Sequence, residues 1–249
     1  MNDLLKRLGL TQMARALPSL LDQARTQQLS YDAFLRMALE AEVSGRQQRA
    51  LERRVRAAHL PKRSRLETFD FSFQPTLSER LVRELGSLRF VQTATNVIFL
   101  GPPGVGKTHL ASALALSAIE AGYSALFTTL SQLASALSPV GMRNSRTGNL
   151  QRYVRPHVLL IDEVGYTRLS AEQAHQLFEL VAARYERGAM IITSNLSFAE
   201  WGGLLGDEVL ATALLDRLLH HAELITINGR SYRMRERMAS DRVERAAGE

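Results

Sequence analysis

Residues 101–108 read Gly-Pro-Pro-Gly-Val-Gly-Lys-Thr, which matches the Gly-x4-Gly-Lys-Thr phosphate loop at every constrained position. An apolar run at residues 97–100 comes directly before this stretch, and a helix-like stretch over residues 109–121 follows it. The motif requires this order of strand, glycine-rich loop and helix. The segment therefore predicts an α/β domain that binds a nucleoside triphosphate.

The backbone of this loop explains why the motif binds phosphate. Successive N–H groups form a concave nest at a helix N-terminus, where the helix dipole also favours negative charge. Pro102 and Pro103 lack an N–H, so we expect the donors to come from residues 104–108. Lys107 is expected to reach the β- and γ-phosphates, and Thr108 to ligate Mg²⁺. The predicted ATP-binding residues are Gly101, Pro102, Pro103, Gly104, Val105, Gly106, Lys107, Thr108 and His109.

A second motif places two carboxylates after an apolar run. Residues 158–161 read Val-Leu-Leu-Ile, and Asp162 and Glu163 follow them, 55 residues after Lys107. Ligands bind at the carboxyl ends of strands in open α/β sheets, so we expect Asp162 to hold Mg²⁺ through water and Glu163 to polarise the attacking water. A structural role is disfavoured, because two carboxylates buried without a cation would be costly.

Five short apolar runs predict a parallel sheet. They alternate with helical stretches, and the central runs lack the polar alternation of a half-exposed strand, as expected for a sheet covered on both faces. The runs occupy residues 97–100, 125–128, 158–161, 190–193 and 224–227. Ser170 and Ser197 each begin a predicted capping box, and the helix that starts after Ser170 is predicted to end at Gly188. A further helix is expected over residues 208–220.

The charge of the chain is concentrated near its N-terminus. Residues 1–68 carry 13 Lys/Arg and 7 Asp/Glu, whereas residues 69–249 carry 18 of each. This asymmetry favours an acidic partner such as nucleic acid, or else a solvated helical face. We predict a helical domain at residues 1–58, with Ser30 beginning its long helix. A basic linker at 59–68, an ATPase domain at 69–233 and a charged tail at 234–249 complete the prediction.

Composition excludes several classes of protein. The chain has no cysteine, which excludes disulfides, thiol nucleophiles and cysteine-based metal sites. No apolar run approaches the 18 or so residues of a membrane span, and residues 1–10 show no secretory signal. The six histidines show no metal-binding spacing, and His220-His221 is interpreted as a helix end. We expect a bacterial cytoplasmic protein associated with the nucleoid, with no membrane partner.

Two polar positions stay open on physical grounds alone. Asn195, after the fourth apolar run, is positioned either to hold the water and sense the γ-phosphate or to cap a turn. Arg217 either reaches the γ-phosphate of a neighbouring subunit, where a guanidinium stabilises transition-state charge, or pairs with Asp216 or Glu223.

The motifs together resemble AAA+ ATPases of the DnaC/IstB group within the initiator clade. The resemblance to IstB-type transposition helpers covers nearly the whole chain. Beyond the phosphate loop and the Asp-Glu motif, it is carried by the segments at residues 5–8, 40–42, 69–71, 182–187, 193–195, 198–202, 213–221 and 229–233. It implies an AAA+ P-loop NTPase with a central parallel five-stranded sheet flanked by helices, preceded by a small all-α domain.

The resemblance also implies roles for individual residues. Asn195 corresponds to the sensor-1 position, Arg217 to the trans-acting arginine finger, and residues 69–74 to the segment beside adenine. Residues 130–155 correspond to a helical insertion that faces DNA; no acid occurs between Glu120 and Asp162, which supports this assignment independently. The predicted DNA-contacting residues are Arg143, Arg146, Arg152 and Arg155. A full helical lid is missing after residue 232, so Arg230 or Arg233 would have to replace a sensor-2 arginine.

The functional hypothesis is an Mg²⁺-dependent ATPase that oligomerises on duplex DNA with ATP and recruits a partner transposase. Hydrolysis would then disassemble the complex and influence target selection. The main alternative is a DnaC-like helicase loader acting on single-stranded DNA. A nucleotide or metabolite kinase and a DNA-binding scaffold with silent ATP binding are further alternatives; the kinase would require an acceptor-binding lid, and Glu163 argues against the scaffold.

Overall fold

The computed structural model describes residues 1–138, 146–232 and 234, with only the backbone described at 146–148. Its helices are α1 (Asn2–Arg7), α2 (Thr11–Gln27), α3 (Tyr31–Ala57), α4 (Glu79–Leu85), α5 (Arg89–Gln92), α6 (Lys107–Glu120), α7 (Leu130–Leu137), α8 (Arg146–Val154), α9 (Ala171–Arg184), α10 (Trp201–Leu205) and α11 (Glu208–His220). Its strands are β1 (Asn96–Leu100), β2 (Ala125–Thr129), β3 (Val158–Val164), β4 (Ala189–Ser194) and β5 (Ala222–Thr226). Arg143, Arg233 and the predicted tail from residue 235 onward lie outside the described residues, as does the side chain of Arg146.

The chain divides into two compact units, Met1–Arg54 and the remainder from Val55 onward. The first unit is helical throughout, and the Ser30 hydroxyl accepts a hydrogen bond from the Ala33 amide at the start of its long helix. The second unit contains the sheet and the phosphate loop. The domain boundary proposed at residue 58 stays a prediction. Among the described residues, no helix has the length and apolar character needed to cross a bilayer.

A buried carboxylate stabilises the first unit. Glu42 on α3 is only 3% exposed, and it accepts hydrogen bonds from the backbone amides of Gln12 and Met13 at 2.7 and 2.9 Å. These amides lie at the N-terminus of α2, which has no side-chain cap of its own. Arg46 also donates to Glu42, at 2.7 Å. Glu42 therefore supplies from another helix the capping acceptor that α2 lacks.

The second unit is built on a five-stranded sheet in the order β2-β3-β4-β1-β5, and every neighbouring pair is parallel. The predicted five-stranded parallel sheet is confirmed. All five strands lie where the apolar runs predict them, with boundaries shifted by one to three residues. The β1–β4 register pairs Leu100 with Ser194, so the residues that follow these two strands emerge side by side.

Helices cover this sheet, and α6 is the most deeply buried of them. Leu110, Leu114 and most of its other side chains are inaccessible to solvent. Because α6 begins directly at Lys107, this burial holds the phosphate loop rigidly at the carboxyl end of β1. Capping boxes at Ser170 and Ser197 confirm both of those predicted helix starts. The predicted helix at 208–220 is also confirmed, as α11.

The end of α9 differs from the prediction. The helix stops at Arg184 instead of continuing to Gly188, because the backbone leaves the helical region at Tyr185 and Glu186 has a left-handed φ of 56°. The buried Arg184 guanidinium donates to five backbone carbonyls, on residues 153, 154, 156, 157 and 189. Burial lowers the pKa of Arg184 to about 10. This side chain thus ties the ends of α8 and α9 to the starts of β3 and β4.

Candidate functional site

The phosphate loop adopts a conformation that only glycines accommodate. Gly101, Gly104 and Gly106 have φ values of 146°, 82° and 102°. A Cβ on Gly101 would lie 2.2 Å from the carbonyl oxygen of Ile227, so this glycine also permits the chain after β5 to pass close by. The loop therefore presents backbone to the cavity where side chains would block it.

Lys107 lies across this loop. Its Nζ donates to the carbonyl oxygens of Gly101 and Pro102 at 2.7 and 2.8 Å, and the side chain is only 9% exposed. The ammonium is thus held at the concave side of the nest formed by residues 104–108. Its charge reinforces the helix dipole at the start of α6.

Thr108 and Asp162 form the candidate Mg²⁺ centre. The Thr108 hydroxyl donates to both Asp162 carboxylate oxygens, at 3.0 and 3.1 Å. Asp162 is 4% exposed and accepts a second hydrogen bond from the Thr193 hydroxyl on β4. Hard cations such as Mg²⁺ are held by carboxylate and hydroxyl oxygens next to a phosphate. The residues present therefore fit a bound Mg²⁺, with Thr193 orienting the carboxylate.

Glu163 is directed into the cavity by an irregularity in β3. The pairing of β3 with β4 shifts between Ile161 and Val164, and Glu163 itself has a left-handed φ of 61°. Its backbone amide donates to the Thr193 hydroxyl oxygen at 3.1 Å. The two carboxylates are not buried as a pair: Asp162 is enclosed, whereas Glu163 is exposed and lines the cavity. Strained conformations of this kind cluster at functional sites.

Asn195 lines the same cavity as Glu163. Its Oδ1 is buried and has no hydrogen-bond partner in the described part of the chain. Gly165, with a φ of 116°, packs so closely that a Cβ there would lie 2.5 Å from this oxygen. This oxygen is therefore held in one place with acceptor capacity to spare, and a water molecule could donate a hydrogen bond to it.

Part of the cavity lining is aromatic and basic. The cavity has a volume of about 570 Å³, and Phe69, Phe73 and Tyr232 line it with the flanking cations Lys62 and Arg63. The predicted segment 69–74 thus lies beside the phosphate loop. The Tyr232 amide donates to the Gly104 carbonyl oxygen at 2.9 Å, and the Phe73 and Tyr232 rings meet edge to face.

Residues near the end of the described chain help to enclose this cavity. The Gln74 side chain, 1% exposed, donates to the Arg230 carbonyl oxygen at 3.0 Å, and the Thr76 hydroxyl donates to the Asn228 carbonyl oxygen at 2.8 Å. The Arg230 side chain is exposed and is not among the cavity-lining residues. The main chain of this segment, together with Tyr232, therefore forms the wall.

Arg217 lies away from the cavity of its own chain. It is not among the lining residues; its guanidinium carbon is 4.7 Å from the centre of the Phe178 ring, and Nη1 donates to the Ala213 carbonyl oxygen at 2.9 Å. Among the described ion pairs, none joins Arg217 to Asp216 or Glu223. Of the two interpretations left open by the sequence, the local ion pair is absent here.

Of the predicted DNA-contacting residues, Arg152 and Arg155 have described side chains, and neither lines the cavity. Arg152 and Arg155 are exposed, in the last turn of α8 and just after it. Arg152 lies over the ring of Tyr153, at 5.7 Å from its centre. The structure thus brings together Lys107, Thr108, Asp162, Glu163 and Asn195, and it leaves Arg152, Arg155 and Arg217 outside the cavity lining.

Comparison with known proteins identifies the family. The model of the IstB-like ATP binding protein family matches residues 3–240. The chain belongs to this family. A protein of Pseudomonas aeruginosa, assigned as the ATP-binding protein of insertion sequence IS21, is 47% identical over 94% of this chain and 88% of its own length. The corresponding protein of insertion sequence IS5376 from Geobacillus stearothermophilus is 43% identical over 96% of this chain and 95% of its own. The predicted family is confirmed.

Solved structures with this fold support the same classification. The DnaC helicase loader aligns with a TM-score of 0.55 and 25% identity over 66% of this chain and 96% of its own. AMPPCP-bound DnaA from Aquifex aeolicus aligns with a TM-score of 0.56 and 22% identity over 68% of this chain and 51% of its own. At 22% identity, the similarity to DnaA shows only that the two proteins share a fold. The predicted AAA+ P-loop fold is confirmed, with helices preceding it in the chain.

Sequence reasoning missed several residues of the site. No individual role is predicted from the sequence for Thr193, Gly165, Lys62 or Arg63. Gly165 could have been identified from the sequence, because it is a glycine that directly follows the Asp-Glu-Val segment. The contact between Thr193 and Asp162 carried no such signal, because the two residues are 31 positions apart and meet only through strand pairing.

Proposed function

We propose that this chain is an Mg²⁺-dependent ATPase that helps a partner transposase move an insertion sequence. One observation carries the proposal: in a chain of the IstB-like ATP-binding family, Lys107, Thr108, Glu163 and Asn195 line a single cavity, and Asp162 is hydrogen-bonded to Thr108. The relatives assigned to insertion sequences support the link to transposition.

The residues divide the chemistry among them. The nest at residues 104–108 and Lys107 bind the phosphates, while Thr108 and Asp162 would hold Mg²⁺, which supplies positive charge to the β- and γ-phosphate oxygens. Glu163 orients the attacking water and accepts its proton. Asn195 uses its free amide oxygen to position that water. Positioning and charge stabilisation carry most of the catalysis.

Duplex DNA and a second copy of this chain complete the proposal. The exposed Arg152 and Arg155, with Arg143 and Arg146 earlier in the same segment, provide cations that follow a phosphate backbone with little sequence preference and a steep salt dependence. Arg217 lies outside the cavity of its own chain, so we assign it to the γ-phosphate of a neighbouring protomer. ATP then acts as a switch for assembly on DNA, and the transposase joins the assembled form.

Glu163→Gln tests this function. The variant keeps the phosphate-binding residues and loses the proton acceptor, so we expect retained ATP binding and turnover at least about 100-fold lower. With ATP and duplex DNA, sedimentation should show a trapped DNA-bound oligomer. Lys107→Ala is the matched variant that should lose both nucleotide binding and assembly. A Glu163→Gln chain that binds ATP and remains monomeric and free of DNA would contradict the switch.

A helicase loader is the second candidate, because DnaC matches at 25% identity with a TM-score of 0.55. Binding of single strands relies on stacking of bases on aromatic rings, and residues 1–58 contain only Tyr31 and Phe34 as aromatic residues. Competition between duplex and single-stranded DNA of equal length distinguishes the two functions. We expect the chain to bind duplex DNA with the higher affinity. A higher affinity for single-stranded DNA would favour the helicase loader.

A further inference from the structure

Three side chains outside the nucleotide cavity form a second cluster of potential ligands, here named the histidine cluster: Glu186, His220 and His221. Among the residues that the structure describes, one nitrogen from each of these imidazoles and one oxygen of this carboxylate all lie within 4.8 Å of one another. The His221 Nε2 is 3.4 Å from the Glu186 Oε1. All three side chains are exposed and are therefore accessible to an ion.

The backbone beneath the histidine cluster is well anchored. His220 is the last residue of α11, and His221 follows it directly before β5. The His221 carbonyl oxygen accepts a hydrogen bond from the Asn96 amide at 2.8 Å, which fixes this turn to the sheet. Glu186 lies in the turn between α9 and β4, where its left-handed φ orients it. The ligands thus come from two fixed chain turns that pack side by side.

A tyrosine contacts one of the three ligands. The Tyr185 hydroxyl is 2.8 Å from the Nδ1 of His220, within hydrogen-bond distance. In the tautomer with its proton on Nδ1, His220 donates to this hydroxyl and keeps the lone pair of its Nε2 for a cation.

The chemistry of these ligands selects the ion. Two imidazoles and one carboxylate suit borderline ions such as Zn²⁺, whereas Mg²⁺ and Ca²⁺ prefer oxygen ligands alone. The hydrogen bond between Tyr185 and His220 has the form of the outer contacts that orient ligands in zinc sites. We propose that Glu186, His220 and His221 bind one Zn²⁺, with water in the fourth position.

Occupancy of this site would fasten the turn after α9 to the end of α11. Arg217 lies one helical turn before His220 on α11, so the ion would restrain the helix end that carries the residue assigned to the neighbouring protomer. The zinc site itself does not depend on that assignment. None of its three ligands lines the nucleotide cavity.

Zn²⁺ titration of the full chain by calorimetry tests the site, with Mg²⁺ in excess so that oxygen-only sites are occupied. We expect one Zn²⁺ per chain at the cluster. His221→Ala and His220→Ala should each weaken this binding at least about tenfold, and Tyr185→Phe about tenfold, because it removes an outer hydrogen bond. Circular dichroism without metal checks that each variant is folded.

The chain supplies its own control. His175 and Glu179 form another exposed pair, with the same 3.4 Å separation of Nε2 and Oε1, on a single helix face and without a third ligand. His175→Ala should leave Zn²⁺ affinity unchanged. The proposal is overturned if the unaltered chain binds no Zn²⁺, or if His175→Ala weakens binding as much as His221→Ala does. Co²⁺ gives an independent readout, since a four-coordinate site produces strong visible absorption that His221→Ala should abolish.

Discussion

At the scale of single residues, the candidate site depends on one hydroxyl group. Thr193 donates to the Asp162 carboxylate and accepts from the Glu163 amide, so it contacts both members of the acidic pair at the point where β3 becomes irregular. The positive φ of Glu163 is unfavourable for any residue except glycine. We infer that the Thr193 hydrogen bonds help to hold that conformation and thereby aim Glu163 at the cavity.

Thr193→Val tests this inference. Valine preserves the shape but removes the donor to Asp162 and the acceptor for the Glu163 amide, so we expect Mg²⁺-dependent turnover to fall about 10- to 100-fold, as for the loss of an outer contact in other metal sites. Stability should fall by about 1–3 kcal/mol, because a buried carboxylate loses a partner. Steady-state ATPase assays and denaturant unfolding measure the two effects.

Ser194→Ala is the matched control for that experiment. Ser194 is the next residue on β4, is equally buried, and bonds the Val164 and Leu196 carbonyl oxygens without contacting Asp162. This variant should lose some stability and keep its turnover. Equal loss of turnover in both variants would mean that Thr193 acts only through general stability.

At the scale of whole elements, buried charged side chains of one helix bind the end of another. Glu42 on α3 accepts hydrogen bonds from the first free backbone amides of α2. Arg184 on α9 donates hydrogen bonds to the last backbone carbonyl oxygens of α8. Burial raises the pKa of Glu42, but hydrogen bonds from Arg46, Met13 and Gln12 outweigh it, and the net effect is a pKa below the ordinary value of 4.5. The ionised form is thus the one that stabilises the helix pair.

The lowered pKa of Glu42 sets a pH dependence. A carboxyl whose pKa is lower in the folded state contributes its stability above its unfolded pKa and loses it as the pH falls through the folded value. We therefore expect Glu42→Gln to destabilise the helices by about 1–3 kcal/mol at pH 7. The difference from the unaltered chain should shrink as the pH falls below 4.5. Urea unfolding followed by helical circular dichroism, repeated between pH 7 and pH 3, measures it.

Glu40→Gln is the control for this prediction. Glu40 is on the same helix two residues earlier and is exposed. Its substitution should change stability little at any pH. If the loss of stability in Glu42→Gln stayed constant down to pH 3, the shape of the Glu42 side chain, and not its charge, would account for its stabilising effect.

At the scale of the whole molecule, Arg217 lies outside the lining of its own chain's nucleotide cavity. Arg217 is half-buried against Phe178 on another surface and is not used by its own cavity. A trans-acting arginine is therefore the simplest use for it in an assembled ATPase. Its stacking on Phe178, worth about 0.5–2 kcal/mol in typical cases, is weak enough to be exchanged for a phosphate contact.

Arg217→Ala is expected to separate binding from assembly. The variant should bind ATP with unchanged affinity, because Arg217 does not line the cavity. ATP-dependent oligomers on duplex DNA should be lost, and DNA-stimulated turnover should fall by about 10³-fold or more, as for other arginine fingers. Arg80→Ala, an exposed helical arginine outside the cavity, is the control. Unchanged DNA-stimulated turnover in Arg217→Ala would refute the intersubunit role.

The sequence by itself determined the parts of this protein that depend on short stretches of chain. The phosphate loop, the strands and the capping boxes at Ser170 and Ser197 are readable because their backbone geometry is set by residues a few positions apart. The order of the chain also fixed the α/β class, since apolar runs that alternate with helices pair in parallel. Even the Asp162–Glu163 motif could be assigned from its place at a strand end.

Only the tertiary structure decided which distant residues meet. The register shift at Glu163, the Thr193 hydroxyl on Asp162, the wall at Tyr232 and the histidine cluster each join residues from separate elements. His220-His221 illustrates the difference: in the sequence it is a helix end, and in the fold Glu186, about 35 positions earlier, arrives beside it. Such contacts follow from strand order and helix packing, which no local run of residues encodes.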